Sequence, residues 1–187
     1  MSVACVRRTD MIINALNIEG AYLIEREPRK DERGYFARLY CEREFQAAGI
    51  QMEIKQMNLC ENKQKGTLRG LHFQRGAYLE DKVVTCTRGL IYDVCVDIRE
   101  NSSTYLSYYA CEMSEDNGKM LFIPKGCAHG YVTLEENCQL LYLMSEFYTP
   151  EAAAGYRYND PAFGIEWPLK EGLIISPKDR ELPFIKC

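Results

Sequence analysis

Histidine is scarce in this chain: His72 and His129 are the two imidazoles among 187 residues. Also missing is any apolar run of about 18 residues, so no membrane-spanning helix is expected. The opening segment MSVACVRRTDMIINALNIEG has neither a long apolar core nor an A-x-A site, which argues against a signal peptide. There is no excess of positive charge. The net charge of −4 disfavours nucleic acid and anionic membrane as partners, while a small anion could still meet a local cluster of Arg and Lys. No Gly-rich dinucleotide loop is present. The nine cysteines are scattered with no C-x-x-C pair, which excludes the usual zinc-finger and thiol-redox spacings. Several lie in apolar strand-like runs, Cys86 and Cys95 among them, where a reduced thiol packs as a small hydrophobe. Free thiols fit a cytoplasmic protein.

What is present reads mostly as β-structure within one domain spanning 1–187. The stretch 20–49 reads as a strand, a charged turn at 28–34, a second strand and a short helix around 42–48. KVVTCTRG and LIYDVCVDIRE are rich in β-branched residues, and Gly89 between them predicts a hairpin. In the second run Tyr92, Val94, Val96 and Ile98 alternate with Asp93, Cys95 and Asp97, so the two sets face opposite ways. Further short strands with turn-forming breaks predict an all-β sandwich or small barrel, with an irregular tail from about 155.

The two histidines sit in RGLHFQ and PKGCAHGY, each beside glycines and a cation, where backbone can approach a ligand closely. Three roles are open to such an imidazole: packed core residue, metal ligand or proton-transfer group. No H-x-H pair and no carboxylate at ligand spacing accompany them, so no metal is expected. Most Lys and Arg are solvated surface charge. Arg69, within an apolar segment, and Lys82, at the head of a Val-rich run, are different. A cation turned into a barrel needs an anionic partner, and a ligand phosphate or an enolate would serve. Tyr142, in QLLYLM, is either a core residue or a phenol that donates a proton, since its ordinary pKa near 10 keeps it protonated.

Together the segments DERGYF (31–36), QMN (56–58), GTLRGLHFQ (66–74), DKVV (81–84), GLIYDVCVDIRENSSTY (89–105), IPKGCAHGY (123–131), LLYLMSEFYTP (140–150), YNDPAFGIEWP (158–168) and SPKD (176–179) resemble the dTDP-4-dehydrorhamnose 3,5-epimerase family over nearly the whole chain. The resemblance implies a cupin jelly-roll barrel with a few short helices. It also implies a homodimer that exchanges N-terminal strands, no cofactor, and a nucleotide-diphospho-sugar substrate. By that resemblance His72 is the base and Asp179 the carboxylate that orients it. Tyr142 is the acid on the opposite sugar face and Lys82 the cation at the C4 carbonyl. His129 and Asp93 line the same pocket. Arg33, Gln56, Asn58, Arg69 and Lys178 contact diphosphate or nucleoside, with Arg33 and Phe36 reaching across the dimer.

The chain departs from the family pattern at three places. Arg38 stands where a Glu is common, an alanine of EAAAG (151–155) replaces another Glu, and Tyr158-Asn159-Asp160 replaces W-N-D. A guanidinium in place of a carboxylate near the nucleoside leads to the expectation of CDP or GDP rather than dTDP. A single-position epimerase, a 3,4-ketoisomerase and a non-catalytic sugar-nucleotide-binding cupin are the alternatives to the 3,5-epimerase. The base, its carboxylate and the lysine are all present, which favours the enzyme.

Overall fold

The alternation in 90–98 places apolar side chains on both faces of one strand, one face turned to the core between two sheets and the other to the chain's tail. The computed structural model describes residues 10–186. In chain order its strands are β1 (Met11–Ala15), β2 (Tyr22–Arg26), β3 (Arg29–Asp31), β4 (Gly34–Phe36), β5 (Gln56–Asn62), β6 (Thr67–Gln74), β7 (Lys82–Arg88), β8 (Leu90–Asp97), β9 (Tyr108–Ser114), β10 (Lys119–Ile123), β11 (Cys127–Thr133), β12 (Cys138–Met144), β13 (Ala153–Gly155) and β14 (Ile174–Ile175). Helix α1 (Glu42–Ala47) precedes β5, and helix α2 (Pro177–Arg180) follows β14. The short helix expected at 42–48 is α1.

One sheet runs β1-β2-β10-β7-β12-β5 and the second β13-β6-β11-β8-β9, with β14 added in parallel to β6. The sheets pack face to face. Val84, Leu121 and Leu140 of the first meet Ile91, Cys95, Met113 and Tyr131 of the second in a shared core. This is the jelly-roll barrel that the resemblance implies. Each sheet also buries its outer face. Val83, Met120, Phe122 and Leu143 pack outward against Phe45 of α1, whose ring is only 1% exposed. Burying a Phe contributes roughly 2–3 kcal/mol, enough to dock a six-residue helix that would not hold alone. On the other side Val94, Val96 and Leu71 are covered by Phe163, Tyr156 and Trp167. The irregular tail is therefore a cover for the second sheet.

Two expectations are corrected. β7 and β8 do not form a hairpin, because they belong to different sheets. Gly89, at φ +79°, turns the chain across the barrel edge, and a Cβ there would lie 2.8 Å from the Cys138 Sγ. Period-2 patterning reports that a strand is buried on both faces, not which strand it pairs with. The charged segment 28–34 is not a simple turn either: β3 and β4 pair as a small separate ribbon. Met11–Ala15 pairs with β2 of the same chain. The N-terminal stretch 1–9, with Cys5, and the terminal Cys187 lie outside the described residues. The seven other cysteines are free thiols, with Cys86, Cys95, Cys127 and Cys138 buried.

Candidate active site

The site begins with one crowded strand pair. β6 and β11 pair with His72 opposite His129, then slip by one residue so that Tyr131 lies opposite Arg69. The slip occurs at Gly70, whose φ of +115° suits glycine alone. Added there, a Cβ would come within 2.6 Å of the His129 carbonyl oxygen and 2.7 Å of the Gly130 Cα. The two glycines thus let two strands approach closely enough to bring both imidazoles to one side, facing the interior.

Each histidine is backed by a carboxylate. His72 Nε2 lies 2.8 Å from Asp179 Oδ1, and the Gly70 backbone N–H donates to Asp179 Oδ2 at 3.2 Å. Asp179 is brought there by α2, whose N-cap Ser176 accepts the Asp179 N–H at 3.1 Å through its hydroxyl. A carboxylate can only accept, so His72 donates Nε2–H and Nδ1 carries the free lone pair. Burial works to raise the Asp179 carboxyl, but the hydrogen bonds and charge of His72, with Gly70 and Ser176, outweigh it and hold it below its ordinary value. The His72 side chain itself is 43% exposed, open to a ligand. His129 Nε2 makes the same contact with Asp93 Oδ1 at 2.8 Å, but both partners are buried. Asp93 Oδ2 has no hydrogen-bond partner among the described residues.

A cavity of about 360 Å³ opens over these groups. From the second sheet His72, His129 and Arg69 line it; from the first come Asn58, Lys82 and Tyr142, and Lys178 of α2 lies at its rim. His72 and Tyr142 therefore approach the space from opposing sheets. The Tyr142 ring meets that of His129 edge-on at 5.9 Å. Burial above all, then the neighbouring Tyr131, Asp93 and Cys60, pushes the Tyr142 phenol well above its ordinary pKa. It is a protonated donor throughout the physiological range. Lys82 is 6% exposed, and its ammonium lies 3.0 Å from Glu80 Oε1. Arg69 donates to the neutral Asn62 Oδ1 at 2.9 Å. Arg69 and Lys178 have no carboxylate at ion-pair distance among the described residues, which leaves two cations free at the cavity.

Five of the expected site residues stand elsewhere. Asp179 and Asp93 sit behind their histidines, so Asp93 is a backing group rather than part of the lining. Gln56 lies at the edge, where it donates to Asn58 Oδ1 at 3.2 Å and accepts the Tyr148 N–H at 2.9 Å. Arg33 and Phe36 lie on the exposed β3–β4 ribbon, outside this chain's own cavity. Arg33 pairs there with Asp31. The sequence reading missed Cys60, Gln74, Glu80 and Tyr131, all in the cavity wall. For Glu80 a signal existed: in extended chain, residues i and i+2 share a side, so Glu80 and Lys82 face together. Arg38 does not line the cavity. It is bound to Asp10 at 2.8 Å and to Glu44, so its charge is neutralised within the layer that holds α1. No group of three or more His, Cys, Asp or Glu at metal-binding geometry occurs among the described residues. No helix there is long and apolar enough to cross a membrane.

This arrangement resembles proteins whose activity is known. The family model described as dTDP-4-dehydrorhamnose 3,5-epimerase matches residues 15–186. A protein of that name from Methanothermobacter thermautotrophicus is 43% identical over 166 residues, covering 88% of this chain and 89% of its own. A crystal structure of dTDP-4-dehydrorhamnose 3,5-epimerase from Elizabethkingia anophelis superposes with a TM-score of 0.90 at 35% identity, covering 94% of this chain and 97% of that one. A Legionella pneumophila dTDP-6-deoxy-D-glucose-3,5-epimerase in complex with dTDP-4-keto-L-rhamnose gives a TM-score of 0.88 at 34% identity, covering 93% and 92%. The chain belongs to the dTDP-4-dehydrorhamnose 3,5-epimerase family.

Proposed function

We propose that the protein inverts C3 and C5 of a dTDP-linked 4-keto-6-deoxyhexose without a cofactor. The observation that carries this reading is the opposition of His72, backed by Asp179 of α2, on one sheet to Tyr142 and Lys82 on the other, across one cavity.

A C–H bond beside a carbonyl is a weak acid, so its removal requires both a base and stabilisation of the enolate oxygen. His72 Nδ1 takes the proton, and Asp179 steadies the resulting imidazolium. The Lys82 ammonium, itself only 6% exposed, stands at the C4 oxygen, where charge develops. C3 and C5 both flank C4, so one lysine serves both centres. Reprotonation from the opposite face inverts the carbon, and Tyr142 supplies that proton. The cycle closes when His72 gives its proton to solvent and the Tyr142 phenolate regains one. Charge accounting supports a diphosphate ligand. Lys82 has Glu80 as its carboxylate, whereas Arg69 and Lys178 have none among the described residues, and two cations match the two charges of a diphosphate bridge.

The relatives' names carry dTDP, and Arg38 is held in ion pairs away from the cavity, so the expectation of CDP or GDP has lost its support. The retained base, acid and lysine disfavour a silent binding cupin. The working form is read as a homodimer, the single domain of each chain lending Arg33 and Phe36 to its neighbour. The exposure of Phe36 at 68% and Tyr35 at 59% on the β3–β4 ribbon supports that partner. Free thiols support a cytoplasmic setting.

Turnover is tested with dTDP-, CDP- and GDP-linked 4-keto-6-deoxyglucose, with the product sugar identified by NMR. Inversion at both centres with the dTDP substrate preferred is expected. Inversion at one centre, or preference for another nucleotide, would overturn the specific reading.

A further inference from the structure

Lys82 is fixed by more than its strand. Its ammonium lies 3.0 Å from Glu80 Oε1, with the lysine and glutamate side chains 8% and 7% exposed, and 3.4 Å from the His72 carbonyl oxygen. Glu80 is held in turn. Its Oε2 accepts from Gln74 Nε2 at 2.9 Å. The Gln74 amide is oriented by the Thr149 N–H, which donates to Gln74 Oε1 at 2.7 Å, and by the Phe147 carbonyl, which accepts from Nε2 at 3.1 Å. The amide's direction is therefore imposed by backbone, and it presents N–H to Glu80.

Burying such a pair gains little stability, since desolvating two ions costs about as much as their attraction returns. A pair of apolar side chains would seal this wall as well. The arrangement has a different consequence for an ammonium with three N–H groups. One is taken by Glu80, a second points toward the His72 carbonyl, and the third is left for the cavity.

We propose that Glu80 is a positioning residue that holds the Lys82 ammonium in place and aims its free N–H at the substrate's C4 oxygen, an inference that rests on the function proposed above. Without Glu80, the ammonium would face the cations Arg69 and Lys178 from β6 and α2. His72 and His129 are engaged by Asp179 and Asp93, and Tyr142 on β12 is a protonated phenol. Asp81 is adjacent in sequence, but its Oδ1 accepts the Lys125 N–H at 2.8 Å. Among the described residues Glu80 is thus the carboxylate in contact with the Lys82 ammonium, and its removal leaves that ammonium with one fewer fixed partner to hold its direction.

The test is Glu80→Gln, which keeps the shape and removes the charge, assayed for kcat and KM beside Lys82→Met. The variant is expected to lose at least tenfold in kcat at pH 8 with KM changed less than threefold. Should Glu80→Gln not fold, Glu80→Asp, which keeps the charge but shortens the reach, gives the same reading: kcat falls while KM changes less than threefold. Wild-type kcat in folded Glu80→Gln, beside an inactive Lys82→Met, would overturn this inference alone. The same would follow from a rise in KM and a lower Tm without a kcat change. Full turnover by Lys82→Met would instead overturn the assignment of Lys82 and this inference with it.

Discussion

Replacing Asp179 by Asn and by Ala should produce the opposite order from the one that size alone suggests. Asp179 accepts two hydrogen bonds, from His72 Nε2 at 2.8 Å and from the Gly70 N–H at 3.2 Å. An asparagine side chain has one acceptor oxygen. The Gly70 N–H is fixed in the backbone and buried, so the amide oxygen turns to it and the NH2 group faces His72. The imidazole then accepts at Nε2 and carries its proton on Nδ1, the nitrogen that should receive the substrate's proton. In a serine-protease triad the same wrong-tautomer change costs about 10⁴ in kcat, and a loss on the order of 10³–10⁴ is expected here. Alanine leaves His72 free to take either tautomer, with water as partner. The loss is then that of one hydrogen bond to a charged group, about 1.5–3 kcal/mol, or roughly 10- to 150-fold. The assay is the rate of product formation by NMR, with folding checked by thermal melting. An Asp179→Asn variant within tenfold of wild type would contradict the tautomer assigned to His72. So would an Asp179→Ala variant slower than Asp179→Asn, with both folded.

Three further outcomes follow from the same geometry. Tyr142→Phe removes the proposed opposite-face donor but leaves the proposed base, so deuterium should still enter from D2O with retention while inverted product falls by at least about 100-fold; equal loss of both would remove Tyr142 from its role. Asp97 would be raised by its burial, but hydrogen bonds from Arg99, Ser102 and Thr104 outweigh this and hold it well below the ordinary carboxylate range. Its folded value is depressed, so its stabilisation is present above about pH 4, the unfolded value, and is lost as pH falls toward the folded one. Asp97→Asn should therefore cost about 3 kcal/mol at pH 7 and lose less than wild type between pH 4 and pH 2, read from urea midpoints. Gly70→Ala meets both a φ of +115° and backbone at 2.6 Å. A cost of about 3 kcal/mol or more should lower Tm by roughly 6 °C or more, and an unchanged Tm would contradict the close approach of β6 and β11.

How much of this could be read in advance depends on sequence separation. The β-rich pattern and the helix at 42–48 come from local periodicity, and both are present. The expected β7–β8 hairpin is absent because a tight Gly turn looks alike whether strands stay in one sheet or cross to another. His72 and Asp179 are 107 residues apart, so no spacing rule joins them; only the resemblance of GTLRGLHFQ and SPKD to family motifs did. Glu80 was overlooked because AYLEDK looks like a charged surface loop. Its burial comes from Gln74 and the Phe147–Thr149 backbone, which fold over it from β6 and the end of β12.

Everything proposed for the site depends on His72 removing protons beside a C4 ketone. The decisive experiment incubates wild type and His72→Ala with dTDP-4-keto-6-deoxyglucose in D2O and locates deuterium by NMR. Deuterium is expected at both C3 and C5 with wild type, and none above the buffer rate with the folded variant. Wild-type incorporation by His72→Ala, or none by the wild-type protein, would remove His72 from the role of base.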